Sequence, residues 1–133
     1  MIDYETIKHL PPLERMTVQI KDQLTPEYYE HNGKNVGEDP TSLESVNLTL
    51  QMLEATDKLM GGIPYGWPMS DDGGVRIEWT THTPYTHVNL NVHCEGRRSY
   101  IYSDFCGGTI HGVEEVSAET LAKELEKQPR SKP

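Results

Sequence analysis

The segment Asp71-Asp72-Gly73-Gly74-Val75-Arg76-Ile77-Glu78-Trp79 restricts the fold more than any other stretch of the chain. Two acids followed by two glycines have the chemistry of a tight turn. Asp closes local backbone hydrogen bonds, and Gly accepts positive φ. Val75, Ile77 and Trp79 then alternate with Arg76, Glu78 and Thr80. A period of two is that of a strand with one face buried. Val88, Leu90, Val92 and Cys94 repeat the alternation against His87, Asn89, Asn91 and His93, and residues 99 to 105 supply a third strand. The links between them, 82–86 and 95–98, are short. The strands therefore form an antiparallel meander over 75–105, ended by Gly107-Gly108.

Helical spacing lies on both sides. Leu13, Met16, Ile20 and Leu24 place one stripe on a helix that Pro12 starts and Thr25-Pro26 stops. Leu43, Val46, Leu50, Leu53 and Met60 mark a second helix, with Asp57 interrupting its stripe and Gly61 stopping it. Its cap is Ser42 with Ser45, or Thr41 with Glu44 in a capping box. Ser117 caps a last helix, with Val116 and Leu121 spaced as a hydrophobic staple and Leu121 and Leu125 facing inward. The expected architecture is one α+β domain: two N-terminal helices within 12–60, a Gly/Pro connector over 61–74, a three-stranded meander over 75–105 and a helix over 117–127. Residues 1–11 show no period, and 25–40 read as a long connection pinned by Tyr28 and Tyr29.

The chain has 133 residues and a formal charge of −9. Such a field repels a phosphate backbone and suits a basic protein, so no nucleic-acid role is expected. No apolar run is long enough to span a membrane. The N-terminus has neither the basic nor the apolar region of a secretory signal. Two cysteines, Cys94 and Cys106, fit a reducing cytoplasm better than a secreted scaffold. A disulfide between them requires neighbouring strands, which the sequence leaves open.

The residues Pro68, Asp72, Gly73, Gly74, Ile77, Glu78 and Trp79 resemble a segment found in a group of small bacterial proteins, mostly without assigned function. Those proteins carry Thr-Pro-(Asp/Glu)-Gly-Gly-x-hydrophobic-x-Glu-Trp at the start of a meander. Here Ser70-Asp71 replaces the Thr-Pro. The resemblance implies a partner role in a toxin–antitoxin or defence-type gene pair.

Catalytic spacings are incomplete. Cys-x-x-Cys and His-Glu-x-x-His are absent, and His87 and His93 stand about 20 Å apart on a strand, too far to share one ion. Cys106 and His111 lack a third, orienting group, and the glycines at 107, 108 and 112 match no phosphate loop. No metal, no other cofactor and no enzyme activity are expected. The alternative is a metal- or thiol-dependent enzyme drawing on His82, His87, His93, Cys94, Cys106 or His111; a further one is a structural subunit of a larger assembly. The expected contact surface comprises Tyr65 and Trp67 of the connector with Arg76, Glu78, His87, Asn89, Asn91, His93, Tyr100 and Tyr102 of the polar sheet face. Aromatic residues and Arg favour interfaces. The expected partner is another protein, basic or a toxin-like effector, with a second copy pairing along a sheet edge as the other possibility.

Overall fold

The structure is a computed structural model. It describes residues 2–25, 28, 40–82, 84–93, 99–105 and 109–129; in 99–105 and 109–114 only the Ile101 side chain is described. The α+β class stands, with helices before and after an antiparallel meander.

A short helix α1 (Tyr4–Ile7), too brief to show a period, is capped by Asp3, whose carboxylate accepts from the Glu5 N–H at 3.0 Å. Helix α2 (Pro12–Asp22) starts on its proline and buries Met16 and Ile20. Leu24 lies past its end and is exposed, so it leaves the expected stripe. Helix α3 (Leu43–Met60) takes the first of the two possible caps: Ser42 Oγ accepts from the Ser45 N–H at 3.1 Å. Replacing Ser42 with alanine is expected to lower stability by about 1 kcal/mol in a urea titration. Gly61 ends α3 in the left-handed region, at φ 68°. Asp57 has its own task there, since its carboxylate accepts from the Ile63 N–H at 2.8 Å.

The inner face of α3 differs from the leucine stripe. Leu43 is 61% exposed, whereas Ser45, Val46, Thr49, Leu53 and Thr56 are buried. Small hydroxyl side chains are tolerated inside because each is hydrogen-bonded. Thr49 and Thr56 donate to the carbonyls of Ser45 and Met52, and Ser45 donates to the His93 carbonyl, each at 2.7 Å. The last of these fastens the helix to the sheet.

The sheet has five strands in sequence order: β1 (Trp67–Asp71), β2 (Gly74–His82), β3 (Tyr85–Val92), β4 (Ser99–Phe105) and β5 (Thr109–Glu114). The three expected strands are β2, β3 and β4, and the meander continues by one strand on each side. The connector therefore shrinks to 61–66. Pro68 concealed β1, but an edge strand tolerates proline when the missing N–H faces away from its neighbour. Gly107-Gly108 does not end the sheet. It lies outside the described residues, in the link to β5.

Turn chemistry sets the register. Asp71 pairs with Gly74, and between them Asp72 and Gly73 adopt φ 46° and 89°. Two positive φ values define a type I′ turn, whose twist matches that of the strands. The Gly73 carbonyl accepts from the Ser42 N–H at 3.0 Å, tying this turn to the start of α3. The expected loop over 82–86 is tighter in fact, with His82 paired to Tyr85.

Helices α2 and α3 pack on one face of the sheet, and α4 (Ala118–Glu126) packs against α3. Val75, Ile77, Trp79, Val88, Leu90, Val92 and Ile101 meet Met16, Ile20, Val46, Leu53, Leu121 and Leu125 in one core. Ser117 caps α4 by accepting from the Thr120 N–H at 3.2 Å, and Val116 is buried as the staple requires. Past α4, the buried Gln128 amide donates to the Trp79 carbonyl at 2.9 Å and to Thr86 Oγ1 at 3.2 Å. Gln128→Ala removes both of these bonds from the interior. A loss of about 1–3 kcal/mol is expected by chemical denaturation. Among the described residues no helix is long and apolar enough to cross a membrane.

Candidate functional site

The strict alternation of β2 and β3 puts every second side chain on the face away from the helices. Pairing then arranges these positions in rows. One row runs Trp67, Glu78, Asn89 and, by backbone register, Tyr102. The next runs Met69, Arg76, Asn91 and Tyr100. A third holds Thr80 and His87 opposite Asp104.

Arg76 is the centre of this face. Its Nη2 lies 3.2 Å from Asp71 Oδ2, its Nη1 lies 3.8 Å from Glu78 Oε1, and its Nε donates to Asn91 Oδ1 at 3.2 Å. All three charged side chains remain about one-third exposed, so their pairing contributes little by itself. Its effect is to hold a guanidinium in one orientation. Asn91 is only 2% exposed, although it lies on the outer face. Its Nδ2, and Asn89 Oδ1 two residues earlier, are shielded from water and have no hydrogen-bond partner among the described residues. Buried donors and acceptors of this kind are rare, because leaving them unmade costs stability.

The margins of the face carry aromatic rings. Trp67 is 51% exposed at the start of β1, and Tyr85 is 43% exposed. The Tyr85 ring stacks parallel to His87 at 6.5 Å between centroids. His87 Nδ1 lies 3.0 Å from Thr80 Oγ1. His93 follows β3 and is exposed. The structure thus brings Trp67, Arg76, Glu78, His87, Asn89 and Asn91 onto one surface. Sequence reasoning missed Asp71, Met69 and Tyr85, which join it through β1 and the tight 82–85 turn. The signal for Asp71 was the Asp-Asp-Gly-Gly turn, which reverses the chain and returns it beside Arg76.

Tyr65 goes elsewhere. It is half-buried under the Arg15 guanidinium, whose carbon lies 3.9 Å above the ring, and its hydroxyl donates to Gln19 Oε1 at 2.7 Å. Arg15 also lies 4.7 Å from the Tyr4 ring, so one cation joins α1, α2 and the connector. Burial is the main cause that raises the Tyr65 phenol above its ordinary value, against opposing effects of Gln19 and Arg15. The folded chain therefore holds this proton more tightly than the unfolded chain. The associated stability is intact below about pH 10 and declines as pH rises beyond it. Denaturation midpoints followed through that range are expected to fall less steeply for Tyr65→Phe than for the native chain.

The side chains of Tyr100, Tyr102 and His111, and the whole of Cys94 and Cys106, lie outside the described residues. Among the described residues, no three His, Cys, Asp or Glu side chains gather to hold a metal ion. A cleft of about 520 Å³ opens between Pro12, Ile63, Tyr65, Trp79, Leu125 and Gln128, on the helical side and away from Arg76. Comparisons with protein-family models, curated proteins and solved structures return no match to this chain.

Proposed function

We propose that the chain is a non-enzymatic protein-binding module that engages a basic partner through the outer face of its sheet. It acts as an accessory or antitoxin-type protein that blocks or organises an effector, in the cytoplasm. The observation that carries this reading is the Arg76 cluster. A guanidinium is held by Asp71, Glu78 and Asn91 on rigid strands, with two amide atoms beside it that have no partner among the described residues and Trp67 exposed at its margin. Fixed polar groups beside an exposed aromatic ring are what an interface centre uses. The acids Asp71 and Glu78 outnumber Arg76 there, and the whole chain carries −9, so a positively charged surface is the complementary one.

The test is co-purification from native cells with three baits: the native chain, Trp67→Ala combined with Glu78→Lys, and Lys8→Glu as a control on α1. One basic protein is expected in stoichiometric amount with the native chain and the control, and to be lost with the double variant. Raising salt is expected to weaken the complex. A native chain that purifies alone, or a partner that the double variant keeps, refutes the proposal.

A further inference from the structure

The two edges of the sheet are finished differently. Asp71 and Gly74 close the first hairpin as a pair, so alternate residues of β1 turn their backbone away from β2. These outward positions are Ser70 and Pro68, with Gly66 just before the strand. The Ser70 N–H donates to the Tyr28 hydroxyl at 3.3 Å, and the Gly66 N–H meets the Met16 sulfur at 3.3 Å. Pro68 has no N–H at all. Along this edge each outward donor is either capped or missing, which prevents another strand from adding. At the opposite edge, β5 pairs with β4, and among the described residues no strand lies beyond it.

We infer that two copies of this chain join along β5, antiparallel, into one continuous sheet with two-fold symmetry. A copy that adds a strand needs an edge offering both donors and acceptors. Head-to-tail assembly would set β5 of one copy against β1 of the next, and β1 offers no free N–H. The contact of β5 with itself remains, and it closes after two copies. The sequence of β5 suits that contact. Opposed residues of an antiparallel pair share one face, so self-pairing centres on a residue. Centred on His111, it sets Ile110 opposite Gly112 and Thr109 opposite Val113. The two Glu114 residues then stand at opposite ends, so no two carboxylates oppose each other. Thr and Val are β-branched types favoured in strand pairs. Glu115 follows at φ 55°, turning the chain out of the strand and limiting the contact to β5.

This contact leaves the Arg76 face untouched and responds to salt in the opposite sense. Each copy carries −9, so the pair forms against repulsion and tightens when ions screen it. A basic partner on the outer face loosens under the same change, which separates failure of one reading from failure of the other. The experiment is sedimentation velocity of the full chain from about 5 to 200 µM in about 0.05 and 0.5 M NaCl. A dimer is expected, more stable at the higher salt. Amide exchange is expected to be slow throughout Thr109–Glu114 in the dimer and to quicken at every second residue on dilution, with β1 unchanged. His111→Glu places two added acids beside the two-fold axis and is expected to raise the dissociation constant about tenfold or more. A monomer at every concentration and salt overturns the inference. So does a dimer that His111→Glu does not weaken, or one whose β5 amides exchange alike at both dilutions. Should far-UV circular dichroism show His111→Glu unfolded, the exchange data on the native chain decide.

Discussion

Trp79→Ala is expected to destabilise the chain by about 3–5 kcal/mol, a large fraction of what a domain of this size possesses. The indole is 2% exposed and lies in the core between strand and helices. Its Nε1 donates to the Pro64 carbonyl at 2.9 Å, so the ring also holds the connector down. Truncation removes the packing and leaves that carbonyl without its donor. Trp79→Phe keeps most of the volume and loses the hydrogen bond, so a smaller loss of about 1–2 kcal/mol is expected. Trp67 supplies the control. Half its surface is in water, and Trp67→Phe is expected to change stability by no more than about 0.5 kcal/mol. Urea titration followed by far-UV circular dichroism gives all three values. Equal losses at the two tryptophans would contradict the burial described here.

Gly74→Ala is expected to cost about 2–3 kcal/mol, through a different cause. A Cβ at Gly74 would stand 2.4 Å from the Val92 carbonyl oxygen and 3.2 Å from His93 Cα. Both atoms belong to the backbone of the neighbouring strand and cannot rotate aside. The sheet itself must shift, next to the turn that sets its register. Gly66→Ala offers a comparison, because its Cβ would stand 2.6 Å from Ile77 Cγ2 and 2.6 Å from Trp79 Cε2. Those are side-chain atoms, but they are fixed in the core, so a loss of similar size is expected. Thermal denaturation of the two variants checks both. A Gly74→Ala chain as stable as the native one would mean the strands lie farther apart.

What could be read from the sequence follows from how local each signal is. The alternation in Val75, Ile77 and Trp79 depends only on the pleat, so β2 and its outward residues Arg76 and Glu78 were legible, as were Asn89 and Asn91 on β3. Strand β1 was not, because Pro68 argues against a strand until one knows that the strand lies at an edge. The inner face of α3 was misplaced for a similar reason. Leucines advertise burial, whereas the hydroxyls of Ser45, Thr49 and Thr56 become admissible only once their acceptors are in place. The separation of Tyr65 from Trp67 was also hidden. Two residues apart in sequence, they part because Gly66 between them lies against Trp79 and Met16. The pairing of Asp71 with Arg76 waited on the hairpin geometry, which the glycines suggested and the φ values of Asp72 and Gly73 fix.

Trp79 and Gly66 are where the distant parts of the chain meet. Met16 reaches the Gly66 N–H across 50 residues, and Gln128 reaches the Trp79 carbonyl across 49. Each strand, by contrast, pairs only with its neighbours in sequence, an arrangement that forms early because little chain has to be looped out. Synthesis from the N-terminus therefore completes the last strand, at Glu114, before it delivers Gln128 to the core. Until residue 128 has left the ribosome, one side of the tryptophan waits for its cover, and the nascent chain is most exposed to proteases and chaperones during that interval.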